Sequence, residues 1–201
     1  MKIGPIHPPA GGGSGARMFM GEFPNIRSHM AKSDSFFIRA AVEQTGDAYA
    51  QEEIDLGSFV NLGVKSSTLL RIHNVSIQIA DKDAPEKGPI KSSAILNVGW
   101  NLTTQSHTSL VHAFDKSVVA SGRYEAAAGA TPASDFFAQD TRDVMPQMWK
   151  NGYLVGVDSL FLSTDADQTS DNGNYYVTIV MECTLENATQ ASATALALSQ
   201  Q

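Results

Sequence analysis

The sequence predicts an antiparallel two-sheet β-sandwich of about eight strands, jelly-roll-like. Three observations predict it. Apolar residues recur with a period of two along most of the chain, as in Ala94, Leu96, Val98, Trp100 and Leu102. Turn signals separate those runs, Asp171-Asn172-Gly173 being the clearest. Strand patterns do not alternate with helical ones, which argues against a parallel α/β fold.

The elements follow in order. Residues 1–30 differ from the rest: Met1–Gly15 is rich in Pro and Gly and includes Gly11-Gly12-Gly13-Ser14-Gly15, the chemistry of a linker or arm. Arg27-Ser28-His29-Met30 resembles translated cloning sites, so 1–30 is expected to be a vector-derived extension or an N-terminal arm. A sandwich domain is expected over 31–186, with 187–201 a tail or short helix. Phe36, Ile38 and Ala40 alternate with Phe37, Arg39 and Ala41 as a strand does, and Tyr49–Leu56 continues more weakly. In Thr68–Ala80 the apolar parity changes near Asn74, from Leu70 and Ile72 to Val75, Ile77 and Ile79, which predicts a bulge. Ala94–Leu102 reads as a half-buried strand. Ser109–Phe114 and Ser117–Tyr124 read as a hairpin about Asp115-Lys116. The 126–152 connection is long, with a short helical segment expected before Trp149 and an interruption at Pro146. Strands are expected again over Tyr153–Leu162 and Tyr175–Leu185.

Composition narrows the function. Of 201 residues, 42% are hydrophobic, enough for a core, and only 17% are charged. A net charge of −7 disfavours a general nucleic-acid binder, which needs cations to displace phosphate counterions. The single cysteine, Cys183, has no intrachain partner and lies in an apolar strand, the pattern of a buried inert thiol. No apolar run reaches the ~20 residues of a membrane span, and the N-terminus carries no secretion-signal pattern, so synthesis in a cytoplasm is expected.

Candidate chemistry is sparse. His107 and His112 are five apart, which in a strand places them on opposite faces, and no His-x-His or His-Glu-x-x-His occurs. Glu52-Glu53 would likewise point apart, and Asp140 with Asp143 has nothing to mark it as a glycosidase pair. Asp165, Asp167 and Asp171 are the best calcium candidates, though without EF-hand spacing; a solvated hairpin loop is the simpler reading. No cofactor and no catalytic residue is expected. Trp100, Trp149, Tyr153, Tyr175 and Tyr176 would be the members of a sugar-stacking platform, but Trp100 shares its face with core residues. Met145, Met148, Trp149 and Tyr153 form an apolar cluster expected to pack the long connection down or to meet a neighbouring subunit.

Four stretches carry a family resemblance: Ser33-Asp34-Ser35-Phe36-Phe37-Ile38-Arg39-Ala40, Glu53-Ile54-Asp55-Leu56-Gly57, Leu70-Arg71-Ile72-His73-Asn74, and Trp149 to Asp158. Together, over about 33–186, they resemble small structural proteins of environmental, especially marine, viruses. The resemblance implies a virion shell protein with a single jelly roll, made in the host cytoplasm. It would assemble as a homo-oligomer through edges and loops, beside other virion proteins. It transfers no functional residue. Residues 1–32 hold only Lys2, Arg17, Arg27 and Lys32, not the basic arm of a genome-binding shell protein. A decoration or spike protein, or a carbohydrate-binding sandwich, are the competing expectations.

Overall fold

The structure is a computed structural model that describes residues 34–63, 67–129 and 136–200. The expectation for 1–30 lies outside the described residues. Among the described residues are nine strands: β1 Phe36–Gln44, β2 Ala50–Asp55, β3 Ser67–Asp81, β4 Ile95–Thr103, β5 Val118–Ala128, β6 Phe136–Val144, β7 Tyr153–Val155, β8 Ser159–Ala166 and β9 Tyr175–Ala188. One helix follows, α1 Gln190–Ser199.

The strands form two antiparallel sheets, ordered β1-β9-β3-β7 and β2-β8-β4-β5-β6. With β6 set aside, the pairings nest. β4 pairs β5, β3 pairs β7, β2 pairs β8 and β1 pairs β9. That is one long hairpin wound into two sheets, the jelly roll. β6 is an addition, laid on the outer edge of the second sheet against β5.

The core lies between the sheets. Leu96, Val98, Trp100 and Leu102 of β4 face Val177, Ile179, Met181 and Cys183 of β9, all buried. The predicted parity change is real. β3 slips register against β9 between Ile72 and Asn74, so His73 is the extra residue. The bulge lets Leu70, Ile72 and Val75 all reach the core, where each is fully buried.

Three readings of the sequence need correction. Residues 109–114 form no strand. They belong to a loop that returns through turns at His112 and Asp115 to β5. Its apolar residues cover the outer face of β4: the Val111 N–H donates to Asn101 Oδ1 at 2.9 Å, and Leu110 lies where a Cβ on Gly99 would stand, 2.5 Å away. The described residues of the 126–152 connection are mostly extended. β5 runs to Ala128, β6 occupies 136–144, and the helical part is one 3-10 turn at Pro146–Met148. Finally, Tyr153–Leu162 is two strands in different sheets, β7 and β8, because the chain crosses the sandwich at Gly156–Asp158.

Two glutamine side chains complete the backbone pairing. Gln147 accepts from the Val75 N–H and donates to the Val75 carbonyl, fastening the 3-10 turn to β3 just past the bulge. Gln200 accepts from the Gly156 N–H and donates to the Leu154 carbonyl. Its own carbonyl accepts from Thr104 Oγ1 and Gln105 Nε2. These bonds hold α1 on the sandwich, with Ala193 and Ala197 buried beneath it.

Candidate functional site

The aspartates singled out for calcium are each occupied within the protein. Asp167 accepts from both the backbone and the side chain of Asn97, at 2.9 and 2.6 Å. Asp171 accepts from Lys91 Nζ and the Ser92 N–H, both at 2.7 Å. Those bonds hold its carboxyl down at about 2, the Lys91 ammonium contributing most. Asp165 caps the neighbouring Ala166 N–H. Among the described residues no group of three His, Cys, Asp or Glu side chains is arranged to hold a metal ion.

The remaining polar candidates are dispersed. His107 bonds Ser117, His112 stacks on Phe114, and His73 bonds Thr184 on the outer face of the first sheet. The Cys183 thiol is fully buried in β9, and burial pushes its pKa up to about 12. Arg71 takes Glu186 in a two-pronged ion pair and also donates to the Asn151 carbonyl. With His73 and Lys150 these residues line a polar cleft of about 180 Å³. The pairing with Glu186 raises the Arg71 pKa further, so its charge is fixed. Trp100 and Tyr175 are in the core, while Tyr176 reaches Glu43 on the outside of the first sheet. Of the residues expected for a sugar platform, Trp100, Tyr175 and Tyr176 therefore do not join Trp149 and Tyr153.

What the described surface does concentrate is apolar area around β6. On the outer face, Ile95, Ala127 and Phe137 stand side by side across β4, β5 and β6. Phe136, beside Phe137, is 62% exposed, and the three exposed side chains flank a groove of about 580 Å³. The cluster expected from sequence divides. Met145 is fully buried and belongs to the core, so it cannot meet a partner. Its position, where the chain turns from one sheet toward the other, points it inward. Met148 and Trp149 are 55% and 56% exposed, and Tyr153 is half-buried. Trp149 and Tyr153 share a second groove, about 590 Å³, with Val144 at the end of β6. The two apolar patches thus lie at the two ends of one strand.

β6 itself is unusual. By register, Ala138, Asp140 and Arg142 continue the rows of Leu96, Val98 and Trp100, the core-facing side of β4. Yet those three are exposed, as Phe137 and Gln139 are on the other side. Nothing of the four-stranded sheet lies beneath them among the described residues. β6 overhangs the sandwich, paired on one edge and covered on neither face. Sequence reasoning missed it because a strand with no buried face has no apolar alternation to detect. Asp143 is the extra residue of a bulge against Ser121 and Gly122, and it reaches Arg123.

The fold and this overhanging edge define a jelly-roll protein whose distinctive surface is a strand edge rather than a cleft with chemistry. No protein-family model matches the chain, and no curated protein does. Solved structures resembling it include the unassembled pentamer of Merkel cell polyomavirus VP1. That match has a TM-score of 0.36 and 6% identity, covering 77% of this chain and 95% of that one. The jelly-roll assignment rests on strand order and pairing, not on this likeness. Among the described residues no helix is long and apolar enough to cross a membrane.

Proposed function

We propose that the protein is a structural subunit of a viral particle, assembling with further copies of itself through the edge of its five-stranded sheet. The observation that carries the reading is β6, an overhanging strand with apolar patches at both ends. A lone strand edge with uncovered faces is a poor end state for a monomer, because unpaired N–H and C=O groups and bare aromatics invite pairing. The jelly roll supports the reading by analogy, since capsid subunits use this architecture, as lectins and cupins do. The aspartates, histidines and aromatics that would argue for a cupin or a lectin are dispersed or engaged elsewhere. With a net charge of −7, genome contact falls to other virion components.

The test is the assembly state of concentrated protein, by analytical ultracentrifugation and negative-stain electron microscopy. Oligomers, capsomers or particles are the expected result. A strictly monomeric protein across the accessible concentration range overturns the proposal.

A further inference from the structure

We propose that the first contact in this assembly is a two-fold pairing of β6 with β6 of a second copy, antiparallel and centred on Thr141. The inference rests on the self-assembly reading and names the partner surface. Three observations lead to it. First, among the described residues β6 pairs only with β5, so its other edge presents free backbone groups along Phe136–Val144. Second, the strand's charges are self-complementary in one register. A two-fold axis normal to a sheet must pass through a residue, since directly opposed side chains lie on the same face. Centred on Asp140, the pairing sets that carboxylate against its own copy. Centred on Thr141, it sets Asp140 opposite Arg142 of the second copy, twice, with Gln139 opposite Asp143 and threonine opposite threonine. The bulge ends the regular edge at Asp143, the outermost of these positions, so the Asp140–Arg142 pairs lie within its regular part. Centred on Gln139, the strand would form no charge pair at all.

Third, the two-fold reconciles the apolar patches. In one copy Phe136 and Phe137 stand at the start of β6, while Met148 and Trp149 follow its end. Reversing the second strand brings the two phenylalanines of each copy to where the other's strand runs out into its 3-10 turn. Two different patches, each exposed alone, become the two symmetric ends of one interface, the arrangement an isologous dimer requires. Asp140 and Arg142, exposed on the uncovered core-ward side and already 3.5 Å apart as an ion pair within one copy, lie at its centre, where the second copy extends the pair into a square of four charges of alternating sign.

The experiment measures self-association of the full chain by sedimentation velocity and particle formation by electron microscopy. Asp140→Arg and Arg142→Asp each place like charges opposite one another, and each is expected to weaken dimerisation at least about tenfold. The double exchange D140R/R142D restores complementarity and is expected to restore association. Thr141→Cys, on the axis, places two cysteine Cα atoms about 4.5–5.5 Å apart, within disulfide range, and is expected to give a covalent dimer on mild oxidation. Gln139→Cys is the control and is expected to stay monomeric on a denaturing gel. Because Gln139, Asp140 and Arg142 are exposed and Thr141 is only half-buried, unfolding midpoints should stay close to the parent's, which separates lost pairing from lost folding. Cross-linking through position 139 instead of 141 overturns the proposal, as does association indifferent to both single reversals. If particles still form in that case, only the β6 contact fails; a protein that never associates defeats the assembly reading as well.

Discussion

β9 and β6 are both regular strands in ladders, yet they are opposites in surroundings. β9 pairs on both edges, with β1 and β3, and buries Tyr175, Val177, Ile179, Met181 and Cys183 against the other sheet. β6 pairs on one edge and buries almost nothing. The interior strand owes its conformation to this chain alone, through area removed from water and two ladders of hydrogen bonds. The outer strand is held by one ladder and left facing solvent. Stability and assembly are therefore written into different residues, and substitutions should separate them.

The largest effects belong to the interior. Trp100→Ala empties the space between β4 and β9, and should cost about 3–5 kcal/mol in denaturant unfolding. A cost below 1 kcal/mol would mean the sheets repack freely and the contrast with β6 is false. Gly152→Ala should come next. Gly152 has φ +64°, and a Cβ there would stand 2.2 Å from the Ile72 carbonyl oxygen. Strain and clash together should cost about 1–3 kcal/mol, read as a lowered thermal midpoint. Thr189→Ala removes the side chain that accepts the Ser192 N–H at the start of α1, and should cost about 1 kcal/mol in the same assay.

At the edge the expectation reverses. Phe136→Ser and Phe137→Ser should change monomer stability by no more than about 0.5 kcal/mol, because neither ring is buried. Any larger loss on chemical denaturation of dilute protein would show that the rings already serve the monomer's core. The smallest effect concerns acid. Asp171 has its carboxyl held down to about 2 by Lys91 and Ser92, so its contribution is complete above the ordinary carboxylate range near pH 4. It is lost as pH falls toward 2. The protection of the Ser92 amide, its exchange relative to an unprotected amide at the same pH, should fall through that window, and Asp171→Asn should remove that pH dependence.

The contrast also explains what the sequence made legible. β4 and β9 were readable because one face of each is buried, which forces alternation on Leu96–Leu102 and Tyr175–Cys183. The bulge at His73 was readable for the same reason: the core demanded apolar residues on both sides of a parity change. β6 carries no such demand, and Phe136-Phe137-Ala138 followed by Gln139-Asp140-Thr141-Arg142-Asp143 has no period. Leu110 and Val111 misled in the other direction. Their apolar character serves to roof β4, a loop's task that leaves the same signature as a strand. The cluster near Trp149 was visible as apolar, but only the position of the corner decides that Met145 turns inward while Met148 and Trp149 stay out. Gln147 and Gln200 gave no signal, since an amide that stands in for a strand looks like any surface glutamine.

The nested hairpin has a consequence for how the chain is made. β1 is the first described strand to be synthesised, and its only ladder partner among the described strands is the last. Glu43 in β1 meets Tyr176 in β9 across 133 positions of chain. At roughly 5–20 residues per second, β1 waits on the order of ten seconds for its partner to emerge from the ribosome. During that interval Phe36, Phe37 and Ile38 have no sheet to join, in a cell crowded with nascent copies of the same segment. The topology thus opens a period of vulnerability between the synthesis of β1 and that of β9, when the sheet that will half-bury Phe36 and Ile38 does not yet exist.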